Sequence, residues 1–224
     1  MRKILFALMM VLAVWDCQSD HLAAQGGAGG GLAFISLFTP AQAAEPPREV
    51  IVTFYDTLLS VMKRGAALGF KGRVDALTPA VDTAFDMSDM ARLTLGASAK
   101  TLSADQFARF TEAFRRYTIA NYAANFDSYE GQRFEVGEPR PGFDGSAVVP
   151  SKLVPGDGSA PVELDYVMRD VGGHWGITDV LAEGSVSQVA MRRSEFVSVL
   201  RREGFDGLLR TIDSKTRALA VPKG

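Results

Sequence analysis

The spacing of apolar residues changes twice along this chain, and those changes decide its fold class. From Val50 to Phe126 apolar side chains recur every three or four residues. Val50, Ile51, Phe54, Tyr55, Leu58, Leu59 and Met62 form one stripe. Phe107, Phe110, Phe114 and Tyr117 form another, with Ile119, Tyr122 and Phe126 beside it. This is the period of a buried helical face. From Phe134 the period falls to two, and Val162, Leu164, Tyr166 and Met168 alternate with Glu163, Asp165, Val167 and Arg169. That is a half-buried strand with one wetter face. After Gly184 the helical spacing returns through Val189, Phe196, Val199 and Leu200, and again through Leu208, Leu209, Ile212 and Leu219. Helices, an antiparallel meander of four strands, then helices again make an α+β fold. Helices on one face of a curved sheet enclose a cone, and such cones hold apolar ligands.

Local signals place the element ends. Pro46-Pro47 suits a helix start, and Gly65 and Gly69 suit its end. A shorter helix is expected over 73–83, with Pro79 in its path, and a third over 89–95, capped by Asp86 or Ser88 and stopped at Gly96. Ser103 and Gln106 form a capping box for the longest helix, which is expected to run to about Ser128. Strands are expected around Phe134–Val136, over 147–154, over 162–169 and over 174–181, the last two joined by a tight Gly172-Gly173 turn. Ser187 caps a helix that Gly204 breaks, and Asp206 caps the last one.

The first 43 residues read as an export leader. Arg2 and Lys3 precede the apolar run Ile4 to Val14, and a second run, Leu32 to Phe38, leads into Ala41-Gln42-Ala43. Small residues of this A-x-A kind are what a signal peptidase needs. Each run falls short of the ~20 apolar residues of a membrane-spanning helix. Cleavage after Ala43, with Ala44 as the second choice and an uncleaved first run as the alternative, leaves residues 44–224 as one domain in the periplasm. It also removes Cys17 and His21, so the mature chain has no cysteine and only His174. That excludes disulfides, cysteine nucleophiles and any site built from two histidines.

Composition excludes more. The chain is 47% hydrophobic and 22% charged, which is globular rather than disordered. A net charge of -2 supplies no field to attract nucleic acid. No phosphate-binding glycine loop, GxSxG or HExxH motif occurs. His174 follows a turn with no Ser or Asp placed beside it, and reads as an exposed strand-start histidine. Asp75, Asp82, Asp86 and Asp89 lack the spacing of a calcium loop and read as solvated helix ends. No metal, cofactor or catalytic group is expected. Arg192, Arg193, Arg201 and Arg202 put four cations on one helix, as a partner-docking surface or a solvated face.

Two stretches carry a resemblance. Phe110 to Val136 has an F-x-x-A-F-R-R-Y-like helix and a Tyr129-Glu130-Gly131-Gln132 exit. Gly173 to Phe196 has Gly173-His174-Trp175, the turn Asp179 to Ser185, and the wording of Ser187 to Phe196. Together they resemble the MlaC/Ttg2D family of periplasmic lipid-binding proteins, over about Glu45 to Ala220. The last stretch is most similar to the hopanoid-associated HpnM branch. The resemblance implies helices on a sheet around a deep apolar pocket, and a monomeric carrier shuttling a hopanoid or a phospholipid between membrane transport components. The inner-membrane partner it implies is of RND type, or ABC type for the wider family.

The first helix, the 89–95 helix, the long helix and the third strand each carry a surplus apolar face. These faces nominate Phe54, Leu58, Met90, Leu93, Phe110, Phe114, Tyr117, Tyr122 and Tyr166 as lipid-contacting side chains. For the long helix the same stripes also suit plain core. Two other functions stay open: a cone-fold enzyme on a terpenoid, using Asp165 or Asp179 with Tyr166, and a non-catalytic adaptor of an envelope complex.

Overall fold

The computed structural model describes residues 46–221. The leader, its cleavage site, Cys17 and His21 lie outside the described residues. Among the described residues, five helices pack with a fully antiparallel sheet. The helices are α1 (Pro47–Lys63), α2 (Gly65–Ala84), α3 (Met87–Leu95), α4 (Ala104–Asn125) and α5 (Gln188–Leu219), with a 3-10 turn at Gly96–Thr101 between α3 and α4.

Their ends are set by short-range bonding. Ser103 Oγ accepts from Gln106 N at 3.2 Å while Gln106 Oε1 accepts from Ser103 N at 2.9 Å, which completes the capping box of α4. Asp86 Oδ1 accepts from Asp89 N at 2.8 Å and opens α3. Ser187 Oγ accepts from Ala190 N at 2.9 Å and opens α5. Helix α4 ends at Asn125, three residues before the expected Ser128.

Helix α2 departs from expectation. Helical structure resumes at Gly65 and not near Arg73, because the chain turns at Arg64 and the Arg73 guanidinium holds the first turn through the Gly65 carbonyl at 2.8 Å. The same guanidinium reaches the Ala123 carbonyl of α4 at 2.7 Å. Gly69 (φ 60°, ψ 178°) in α2 and Gly204 (φ 70°, ψ −175°) in α5 kink their helices in a backbone region open essentially to glycine alone.

Among the described residues the sheet has seven strands where four were expected: β1 (Arg133–Val136), β2 (Arg140–Pro141), β3 (Ala147–Val149), β4 (Ser151–Val154), β5 (Val162–Val171), β6 (His174–Ala182) and β7 (Val186–Ser187). Pro150 has no N–H to donate and divides the second expected strand into β3 and β4, both paired to β5. The segment opposite breaks in step at Gly137–Pro139, and Gly137 N donates to the Pro150 carbonyl at 2.8 Å across the two breaks. Strand β7 adds a two-residue edge to β6. Strands β5 and β6 join through Gly172 and Gly173, both at positive φ as a tight hairpin turn requires.

Helix α1 packs its buried face on the sheet. Ile51, Leu58 and Val61 are wholly buried, and Tyr55 stacks on Phe134 of β1 with ring centroids 4.0 Å apart. A second aromatic cluster joins α4 to α5. Phe196 meets Phe110, Phe114 and Tyr117 edge-on, each at 6.3 Å.

Candidate functional site

Where α4 and the start of α5 cross over β5 and β6, the packing leaves a cavity of about 150 Å³. Its floor comes from strand alternation. Leu164 and Tyr166 are two apart on β5, Val180 and Ala182 two apart on β6, so each pair shares one face. The register sets Leu164 opposite Ala182 and Tyr166 opposite Val180. Helix α4 supplies one wall with Phe114, Tyr117, Tyr122 and Phe126, spaced at three to five residues. Phe85 and Met90 close the side toward α3, and Val189 of α5 closes the other. The rim is polar: Thr118, Asn121 and Asn125 run along α4, and Gln188 and Arg192 face them from α5.

Burial dominates the chemistry of the tyrosines here. Tyr55 lies behind the floor with its hydroxyl 2.7 Å from Ser151 Oγ, and removal from water pushes its pKa up to about 12. Burial also raises Tyr166 well above the ordinary phenol value, helped by the neighbouring Tyr55 and Tyr122. Burial raises Tyr122 in the same way, with Tyr55 adding to it. All three therefore stay neutral hydrogen-bonding groups at any physiological pH. Their ionisation in the unfolded chain begins near pH 10. The folded state holds its protons longer, so the stability tied to Tyr55 is fully present below pH 10 and is lost as the pH rises toward about 12, and that tied to Tyr122 and Tyr166 is likewise lost only above pH 10. Absorbance at 295 nm should show three of the chain's five tyrosines ionising only together with alkaline unfolding. Titration of Tyr55, Tyr122 and Tyr166 near pH 10 in the folded protein would contradict this.

Five of the nine nominated side chains line the cavity: Met90, Phe114, Tyr117, Tyr122 and Tyr166. Four do not. Leu58 and Phe110 are wholly buried core, and Phe54 sits one layer behind, edge-on to Phe85 and Tyr122 at 5.2 Å each. Leu93 packs against the core, and its carbonyl accepts from Arg193. Sequence reasoning misses the floor residues Leu164, Val180 and Ala182, although Leu164 shares the alternating face of Tyr166. It also misses the rim residues Thr118, Asn121 and Asn125, although their spacing is helical.

The four arginines divide. Arg192 turns to the cavity rim, its guanidinium 5.1 Å from the Tyr117 ring and 3.5 Å from Glu195. Arg193, Arg201 and Arg202 line a separate groove against Leu95–Ser98. The acidic run is spent piecemeal: Asp75 on Lys71, Asp82 on Arg115, Asp86 as a cap, Asp89 on Arg92. Among the described residues no cluster of acidic, His or Cys side chains could hold a metal ion. His174 is exposed and donates through Nε2 to the Thr83 carbonyl at 2.9 Å. The acid–tyrosine pairs do not assemble. Asp165, next to Tyr166 on β5, points to the opposite face and pairs with Arg140 at 2.8 Å. Asp179 accepts from the backbone N–H groups of Val180 and Val189 and from Ser187, tying β6 to the start of α5.

Helices closed over an antiparallel sheet around a mainly apolar cavity with a polar rim define a helix-on-sheet domain with an internal hollow. The MlaC protein family model matches residues 53–214, and the chain belongs to that family. It is 26% identical over 189 residues to the toluene tolerance protein ttg2D of Pseudomonas putida, covering 81% of this chain and 85% of that one. Its fold is similar to that of a phospholipid-binding protein from Ralstonia solanacearum solved in complex with a phospholipid. The TM-score is 0.68 and the identity 19%, over 78% of this chain and 99% of the other.

Proposed function

We propose that this protein is a periplasmic lipid carrier. It takes the apolar part of a membrane lipid between α4, α5 and the β5–β6 floor, and shuttles it between inner- and outer-membrane transport components without chemistry on the cargo. The cavity carries this reading: its floor and one wall are aliphatic or aromatic, and only its rim is polar. Each CH₂ moved from water into such a site gains about 0.8 kcal/mol, so an apolar wall suffices for affinity. Membership of the MlaC family and the phospholipid complex of the Ralstonia protein support the same reading.

The cargo we favour is a hopanoid, with a phospholipid second, because the wording of Ser187 to Phe196 resembles that of the HpnM branch. The partner is then an inner-membrane transporter of RND type, or of ABC type for a phospholipid, met by the carrier as a monomer. At about 150 Å³ the cavity is smaller than the roughly 300–1,000 Å³ of typical ligand pockets. Uptake of a whole lipid therefore requires the cavity to widen. Residues 1–43 direct export and are removed, and 44–224 form the single lipid-binding domain.

One preparation tests the proposal. Protein purified from the periplasmic fraction and extracted with organic solvent should yield stoichiometric lipid, and its mass separates triterpenoid from phospholipid. The intact mass of the protein should correspond to a chain beginning at Ala44. Protein that is lipid-free from cells making both lipids would sink the carrier reading and favour an adaptor role.

A further inference from the structure

We propose that the groove between the 3-10 turn Gly96–Thr101 and helix α5 docks an acidic, amphipathic segment of a partner protein. The proposal rests on the carrier reading only in that a carrier must be met by such partners. The groove measures about 680 Å³ and lies apart from the lipid cavity, on the other side of α5. Val189 and Arg192 line the cavity; Arg193, Val197 and Arg201 line the groove. Its apolar surface comes from Leu95, Ala97, Ala190 and Val197, and its charge from Arg193, Arg201 and Arg202. Among the described residues no carboxylate lines it.

The cations are available and partly preorganised. Arg193 spends one of its five N–H donors on the Leu93 carbonyl at 2.7 Å, and its stem packs beside Gly96. That fixes the guanidinium at the groove while leaving its terminal nitrogens for a partner. Arg201 is exposed and makes no ion pair or hydrogen bond among the described residues. Arg202 is held by Ser198 Oγ at 2.7 Å and by Glu203 at 3.7 Å.

Geometry selects the occupant. Arg193, Val197 and Arg201 follow one another at four-residue intervals on one helical face, which separates the outer two by about 12 Å along the axis. One phosphate cannot bridge that distance. A flat bilayer surface meets the rims of a concave groove and leaves its apolar surface uncovered. A protein segment with spaced carboxylates and intervening apolar side chains satisfies both the cations and Leu95 with Val197.

The test uses the full mature protein and a labelled synthetic peptide of repeating Glu-Leu-Leu-Glu. Anisotropy should show saturable binding that weakens as salt rises from roughly 0.05 to 0.5 M. The double reversal Arg193→Glu with Arg201→Glu should weaken it about tenfold or more, which is about 1.4 kcal/mol. Ser194→Glu, an exposed change in the same groove, should act in the same direction. A peptide of glutamate alone should bind more weakly than the leucine-bearing one. The proposal fails if the reversal leaves peptide affinity unchanged, or if the all-glutamate peptide binds equally well. It also fails if the wild type ignores the peptide while anionic phosphatidylglycerol vesicles or inorganic phosphate compete for these arginines. Lipid content of the groove variants should equal that of the wild type. Loss of peptide binding with lipid retained therefore separates this site from the carrier reading.

Discussion

Ala182→Trp should abolish lipid retention while leaving the protein folded. Ala182 is buried on β6, opposite Leu164, and its Cβ points into the cavity floor. An indole there takes up about as much room as the roughly 150 Å³ cavity offers. The strain of filling it is about 1–3 kcal/mol, which a domain of this size survives. A cargo, by contrast, loses the hollow into which its apolar part inserts before the cavity widens. Val180→Phe projects from the same strand face two residues away and should act in the same direction, though less completely. The measurement is lipid recovered per mole of protein, beside a melt followed by circular dichroism. Wild-type lipid content in a folded Ala182→Trp protein would place the cargo elsewhere.

Phe196→Ala should be among the most destabilising single truncations in the C-terminal helix. Its side chain is wholly buried and joins Phe110, Phe114 and Tyr117 edge-on. Removing a buried phenylalanine costs about 3–5 kcal/mol, the lost transfer energy plus the hollow left behind. At about 2–4 °C per kcal/mol for a domain of this length, the midpoint should fall by roughly 10 °C. Phe205→Ala on the far side of the Gly204 kink is a useful comparison. Phe205 is only half-buried and lies against Arg109 at 5.3 Å, so its loss should cost much less. Equal costs at the two positions would mean that the α4–α5 aromatic cluster does not anchor the helix.

Features written in a few adjacent residues are legible in the sequence alone. The Ser103–Gln106 capping box, the Asp86 cap, the Gly172-Gly173 hairpin and the Gly204 break all form where expected. The division of the second expected strand has a local signal as well, although apolar residues stand on both sides of it: Pro150 lies within it, and proline cannot continue a sheet ladder. The start of α2 has no such signal, because it depends on Arg73 reaching back to Gly65 and across to Ala123.

The site divides along the same line. Helical spacing identifies Phe54, Phe110, Phe114 and Tyr122 as inward-facing, and all four do face the interior. Spacing cannot tell a side chain pressed against another from one facing a gap. That difference is set by how closely a second element approaches, here α5 over α4. The arginines show it most plainly. Arg192 and Arg193 are neighbours in the chain, yet the helical rotation between them sends the first to the cavity rim and the second to the groove. By itself, then, the sequence determined the fold class, most element ends and which faces turn inward, because these follow from periodicity and local hydrogen bonding. Only the tertiary structure decided where the interior stays hollow and which cations share a surface, because both depend on the distance between elements far apart in the chain.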